Sequence, residues 1–131
     1  MWEDELEMLR LKKNKEYFKL LEVVRLTQEL TEAVNRRDEV SVRMLLEMRQ
    51  EILLELQERD RDLRENLLKM PEDEAIRLGA LLNGNSPTDV DEKALSEQLT
   101  KNQQLLAQIT AMDKRISTRL GGKRSFYNSL N

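Results

Sequence analysis

Residues 30–45, LTEAVNRRDEVSVRML, decide the fold. Leu30 and Val34 close an apolar stripe at helical spacing, Asn35 can take the left-handed conformation just past a helix, and Asp38 is a good N-cap for the next one. Asn35-Arg36-Arg37 therefore reads as a tight reversal, and the stripe that resumes at Leu45 must run back antiparallel.

Upstream, Trp2, Leu6, Leu9, Tyr17, Leu20, Val24, Leu30 and Val34 recur at steps of three, four or sums of these, as an amphipathic helix requires, with Lys13 and Thr27 interrupting the stripe. Downstream, Leu45, Met48, Ile52, Leu56, Leu63, Leu67 and Met70 form a near-heptad stripe over about 39–69, with Arg59 snorkelling from one slot. Pro71 ends that run. Glu72-Asp73-Glu74 then opens a short helix through Ala75, Leu78 and Leu82, closed by Asn83-Gly84. Asn85-Ser86-Pro87-Thr88 is the clearest loop, and Thr88 with Asp91, or Asp89 with Glu92, makes a capping-box start for the last helix. Its stripe is Leu95, Leu99, Leu106, Ile109, Met112, Ile116 and Leu120, stopped by Gly121-Gly122. Three helices of similar length, each about 45 to 50 Å, pack best side by side. The expected fold is all-α: an elongated antiparallel three-helix bundle with one short extra helix, a domain over 1–122, and a flexible, mobile C-terminal tail over 123–131.

Composition agrees. The 131 residues suit one domain; 39% are hydrophobic and 36% charged, with 4 Gly and 2 Pro, a bias towards long helices. Aromatics are 4%, so the core is built from Leu, Ile, Val and Met, with Tyr17 and Phe18 expected to fill core space and Trp2 either anchoring a partner or folding back. Without Cys there is no disulfide or thiolate chemistry, and without His the usual neutral-pH acid/base and commonest zinc ligand are missing. The acidic start, Glu3-Asp4-Glu5, is unlike a signal peptide, no run suits a membrane span, and a net charge of −3 argues against nucleic acid, which together point to the cytoplasm with no membrane insertion. The basic cluster Arg10, Lys12, Lys13, Lys15, Lys19 reads as a solvated helix face.

Carboxylate pairs at helical spacing, such as Glu51/Glu55, are ordinary surface features, and no phosphate loop, nucleotide fingerprint, nucleophile elbow or zinc spacing is present. No catalytic, metal or cofactor site is expected. The nearest enzymatic alternative is a helical bundle of the chorismate mutase kind, in which Arg and Lys clamp carboxylates; Met48-Arg49-Gln50-Glu51-Ile52 through Gln57-Glu58-Arg59 superficially suits it, although these charges fall mostly on the polar face.

The stretch Leu20-Leu21 through Leu30-Thr31-Glu32-Ala33-Val34-Asn35-Arg36-Arg37-Asp38, then Leu45-Leu46 and Arg49-Gln50-Glu51-Ile52-Leu53-Leu54-Glu55-Leu56, then Lys101-Asn102-Gln103-Gln104-Leu105-Leu106 and a tail carrying Tyr127, resembles the FlgN family of flagellar export chaperones, with leucine patterns that the FliT type shares. The tail departs from the family pattern, with Asn128 rather than Gly after Tyr127. The resemblance implies a cytoplasmic chaperone that binds the C-terminal helical segment of a flagellar hook-filament junction protein, keeps it unassembled and delivers it to an export gate component for type III secretion. A bundle with spare apolar surface can cover such a helix. The client site is expected on the last helix at Leu99, Leu106, Ile109 and Met112, with Phe126 and Tyr127 in the tail; the competing reading is that the four helical residues complete the bundle. Ile52 or Leu53 should face core or client. A self-associating coiled-coil adaptor, and with it a homo-oligomer, stays open as the other reading.

Overall fold

The computed structural model describes residues 2–119, so Leu120 and the expected tail lie outside the described residues. The described residues form four α-helices and no strand: α1 (Trp2–Arg36), α2 (Glu39–Lys69), α3 (Glu72–Leu82) and α4 (Val90–Arg119). The class is all-α.

The α1–α2 reversal is where expected, but its left-handed residue is Arg37, with φ 59, not Asn35. Asp38 N–H donates to the Ala33 carbonyl at 3.0 Å and Arg37 N–H to that of Val34 at 3.1 Å, the paired bonds of a Schellman stop. Helix α1 therefore runs two residues further than its stripe. Asp38 then caps α2 by accepting from Ser41 N–H at 3.1 Å and Ser41 Oγ at 2.6 Å. Gly84, with φ 93, ends α3 the same way, Asn85 N–H reaching the Ala80 carbonyl and Gly84 N–H that of Leu81. Asp89 caps α4 through Glu92 N–H at 2.8 Å, and Glu92 reaches back to Thr88 N–H at 2.9 Å and to Thr88 Oγ1 at 3.0 Å.

Helix α1 is the spine. It lies along both α2 and α4, whereas α2 and α4 approach each other closely at few points. Three apolar clusters string along it. Leu6 and Leu9 meet Leu78, Leu81 and Leu95; Leu20, Val23 and Val24 meet Ile109 and Met112; Leu26, Leu30 and Ala33 meet Val42, Leu45, Leu46 and Ile116. The order of these partners makes α2 antiparallel to α1 and sets α4 parallel to it.

The parallel pair keeps a strict heptad register. Leu6 and Leu95 share one cluster and Leu20 and Ile109 another; midway, where Lys13 and Asn102 meet, Asn102 Nδ2 donates to the Lys13 carbonyl at 2.9 Å. That layer is polar throughout: Gln98 donates to Asn102 at 3.0 Å, both side chains are buried, and Lys13 pairs with Glu16 at 3.0 Å. Lys13, read as an interruption of the stripe, is thus part of a layer between two apolar clusters.

Candidate functional site

Beyond Arg49, no residue of α2 up to Lys69 is buried. Ile52, Leu53, Leu56, Leu63 and Leu67 rest on the clusters of α1 with one side only, because α4 does not close over the other. The gap is bridged near one end by Arg49, 5% exposed, whose Nη2 donates to Asp113 of α4 at 2.6 Å. Arg49, expected on the polar face, is a core residue because this crossing places an acid opposite it. Met48, counted in the core stripe, is exposed, and Val42 and Leu46 take the buried positions.

Across the gap, α4 presents an unusual segment. From Asn102 to Met112 it has no charged residue, in a chain that is 36% charged. Gln103, Gln104, Leu106, Ala107, Gln108 and Thr110 are exposed within it. The Thr110 hydroxyl donates to the Leu106 carbonyl at 2.9 Å, as Thr100 does to Ser96 at 3.0 Å, so these side chains spend their donors on their own helix. The exposed part of this segment is polar only through amides and hydroxyls and carries no charge, and depletion of charge is what distinguishes the centre of a protein interface from ordinary surface.

The residues expected to bind a client divide. Ile109 and Met112, 6% and 9% exposed, pack together against Leu20, Val23 and Val24, at the inward positions of the α1–α4 heptad. Met112 also lines, with Val34 and Ile116, a cleft of about 360 Å3 on the α1–α4 flank. Leu99 is half-buried against the cluster near α3, beside Leu63 and Leu67. Leu106 alone is exposed, at 49%, next to half-buried Leu105. Phe126 and Tyr127 lie outside the described residues. Of the other aromatics, Trp2 folds back onto the first cluster and Tyr17 is half-buried, but Phe18, expected in the core, is 61% exposed and meets Tyr17 edge-on at 5.8 Å.

Sequence reasoning named Ile52 or Leu53 as facing core or client but passed over Leu105 as a site residue and the neutral window itself, although the window was readable as a break in the charge pattern. Ile52 and Leu53 both touch the cluster around Leu20.

Electrostatically, the site's α3 end is anchored by Glu92, 3% exposed, which accepts from Arg77 Nε at 3.3 Å and again from Arg77 Nη2. The Arg77 guanidinium, with the Thr88 hydrogen bonds, holds the Glu92 carboxyl down at about 2 against the cost of burial. This pair ties the α3–α4 loop, and Arg77 also reaches the Ser86 carbonyl at 3.0 Å. Among the described residues no group of three acids is placed to hold a metal ion, and no helix is long and apolar enough to cross a membrane. Comparison with family models, curated proteins and solved structures finds no match to this chain.

Proposed function

We propose that this chain holds an amphipathic helix of another protein, laid along the open α2–α4 edge, and that it does so as a cytoplasmic flagellar export chaperone of the FlgN kind. The observation that carries the reading is the pairing of a half-covered apolar stripe on α2 with a charge-free exposed face on α4. A helix seated there would complete α1, α2 and α4, an elongated three-helix bundle, as a four-helix one, covering Leu53, Leu56 and Leu106. The client in this reading is the C-terminal helical segment of a hook-filament junction protein, held unassembled until an export gate component receives it, with Phe126 and Tyr127 in the tail as further contacts. The reading asks for no cofactor and no catalytic group.

The test is a labelled synthetic helix from the C-terminus of a junction protein, titrated by fluorescence anisotropy. Leu106→Asp should weaken its binding tenfold or more, about 1.4 kcal/mol, while leaving helicity and melting nearly unchanged. Equal affinity for the variant and the unaltered chain removes the α2–α4 edge as the site, and no binding to either removes the flagellar client.

A further inference from the structure

A second surface lies on the flank that α1 and α2 share, and α4 contributes nothing to it. Met8, Lys12, Lys15 and Lys19 follow one another on α1 at steps of four and three, a mainly basic face whose bordering acid, Glu16, is paired with Lys13 at 3.0 Å. On α2, Met44, Met48, Glu51, Glu55, Glu58 and Asp62 do the same, a mainly acidic face. The two rows border a cleft of about 410 Å3 whose α1 wall carries Lys12, Lys13 and Lys15 with one acid, Glu16, and whose α2 wall carries Glu55, Glu58 and Asp62 with one cation, Arg59. Lys19 pairs with Glu55 across it. The flank also leaves large apolar groups in water: Met8 is 58% exposed, Met44 54% and Met48 40%, with Leu11 at 48% and Phe18 at 61% next to the lysine row.

We propose that this flank is where two copies of the chain meet, the lysine row of α1 in each against the acidic row of α2 in the other. A basic row beside an acidic row is self-complementary: a two-fold axis running along the helices carries each row over its opposite, so the favourable contact is made twice. An anionic membrane or a nucleic acid meets Glu55, Glu58 and Asp62 as well as the lysines and is repelled by them. Methionine at the ends of the rows supplies apolar surface that repacks readily when covered. Solvation accounts for the charges of such a flank but not for the apolar groups that border them.

Charge reversal tests the pairing. Sedimentation equilibrium of the full chain should show a dimer. Lys12→Glu with Lys15→Glu, and separately Glu58→Lys with Asp62→Lys, should each raise the dissociation constant at least tenfold, because each homodimer then sets like charge on like. Mixing the two variants one to one should restore a dimer, since each reversed row finds its opposite in the other chain. A chain that is monomeric at several hundred micromolar, a dimer indifferent to both reversals, or a mixture that stays monomeric would overturn the proposal. Circular dichroism checks that the variants fold, and should one fail, Lys12→Ala with Lys15→Ala must still weaken the dimer. Leu106→Asp, on the other side of the molecule, leaves the dimer intact, so this surface and the helix-binding edge stand or fall separately.

Discussion

Glu92 is the one buried carboxylate among the described residues. Its pKa is lowered by folding to about 2 from an ordinary 4.5, so its contribution to stability is present above the unfolded value and is lost as pH falls through the folded one. Acid melts between about pH 5 and pH 2 should therefore show a steep loss of stability that Glu92→Gln flattens. At pH 7 the same variant should be about 2 to 3 kcal/mol less stable, since Arg77 and Thr88 lose a charged acceptor. An unchanged acid profile in Glu92→Gln would mean that other carboxylates carry the transition. Arg37 costs stability in the opposite sense. A non-glycine residue at φ 59 strains its Cβ, and Arg37→Gly should stabilise by up to about 1 kcal/mol, seen as a higher urea midpoint with an unchanged slope. Asp38 was legible as a cap because capping needs only near neighbours in the chain. The burial of Arg49 and the exposure of Phe18 were not, because each depends on what another helix brings opposite.

Among the helices, the α1–α4 pair is specified by its polar layer. An asparagine at an inward heptad position fixes register at a cost in stability, and Asn102 does so by bonding both Gln98 and the Lys13 carbonyl. Replacing Gln98 and Asn102 together by Leu should raise the melting temperature by several degrees yet admit a second register, visible as doubled amide resonances for α4. A single sharp set would show that the loops alone fix the register. Helix existence was readable from spacing, and the ends of α2 and α3 and the start of α4 from Pro71, Gly84 and the caps, whereas α1 runs two residues past its stripe; which of two equivalent stripes faces inward was not readable. Leu99, Leu106, Ile109 and Met112 share one helical spacing, and only the position of α1 decides that Ile109 and Met112 are core while Leu106 is not. Ile109→Ser with Met112→Ser should accordingly cost at least about 4 kcal/mol, the joint effect of two truncated core residues and a buried hydroxyl, and chemical denaturation measures it directly. A loss below about 1 kcal/mol would return both residues to the surface.

At the scale of the molecule, stability should be graded across the three long helices. Local opening is easiest where few buried apolar contacts hold an element, and the buried residues of α2 end at Arg49 while α1 carries them from Leu6 to Ala33. Native-state hydrogen exchange should then find amides 52–67 opening at a free energy well below that of amides 20–30 in α1, with those of α4 between Leu95 and Ile116 nearer to α1. The gradient follows from the architecture: α1 is covered on two sides, α4 keeps an inward row against it, and α2 leans on the spine with its second side bare. A partner helix on the α2–α4 edge supplies that missing side, so protection of amides 52–67 should rise most when it binds. Self-association through the α1–α2 flank covers a different face of α2 and protects Glu51 to Asp62 at high protein concentration without a partner. Uniform exchange across α1, α2 and α4 would mean that α2 is as firmly held as the rest and that no edge of the fold is left waiting for a helix.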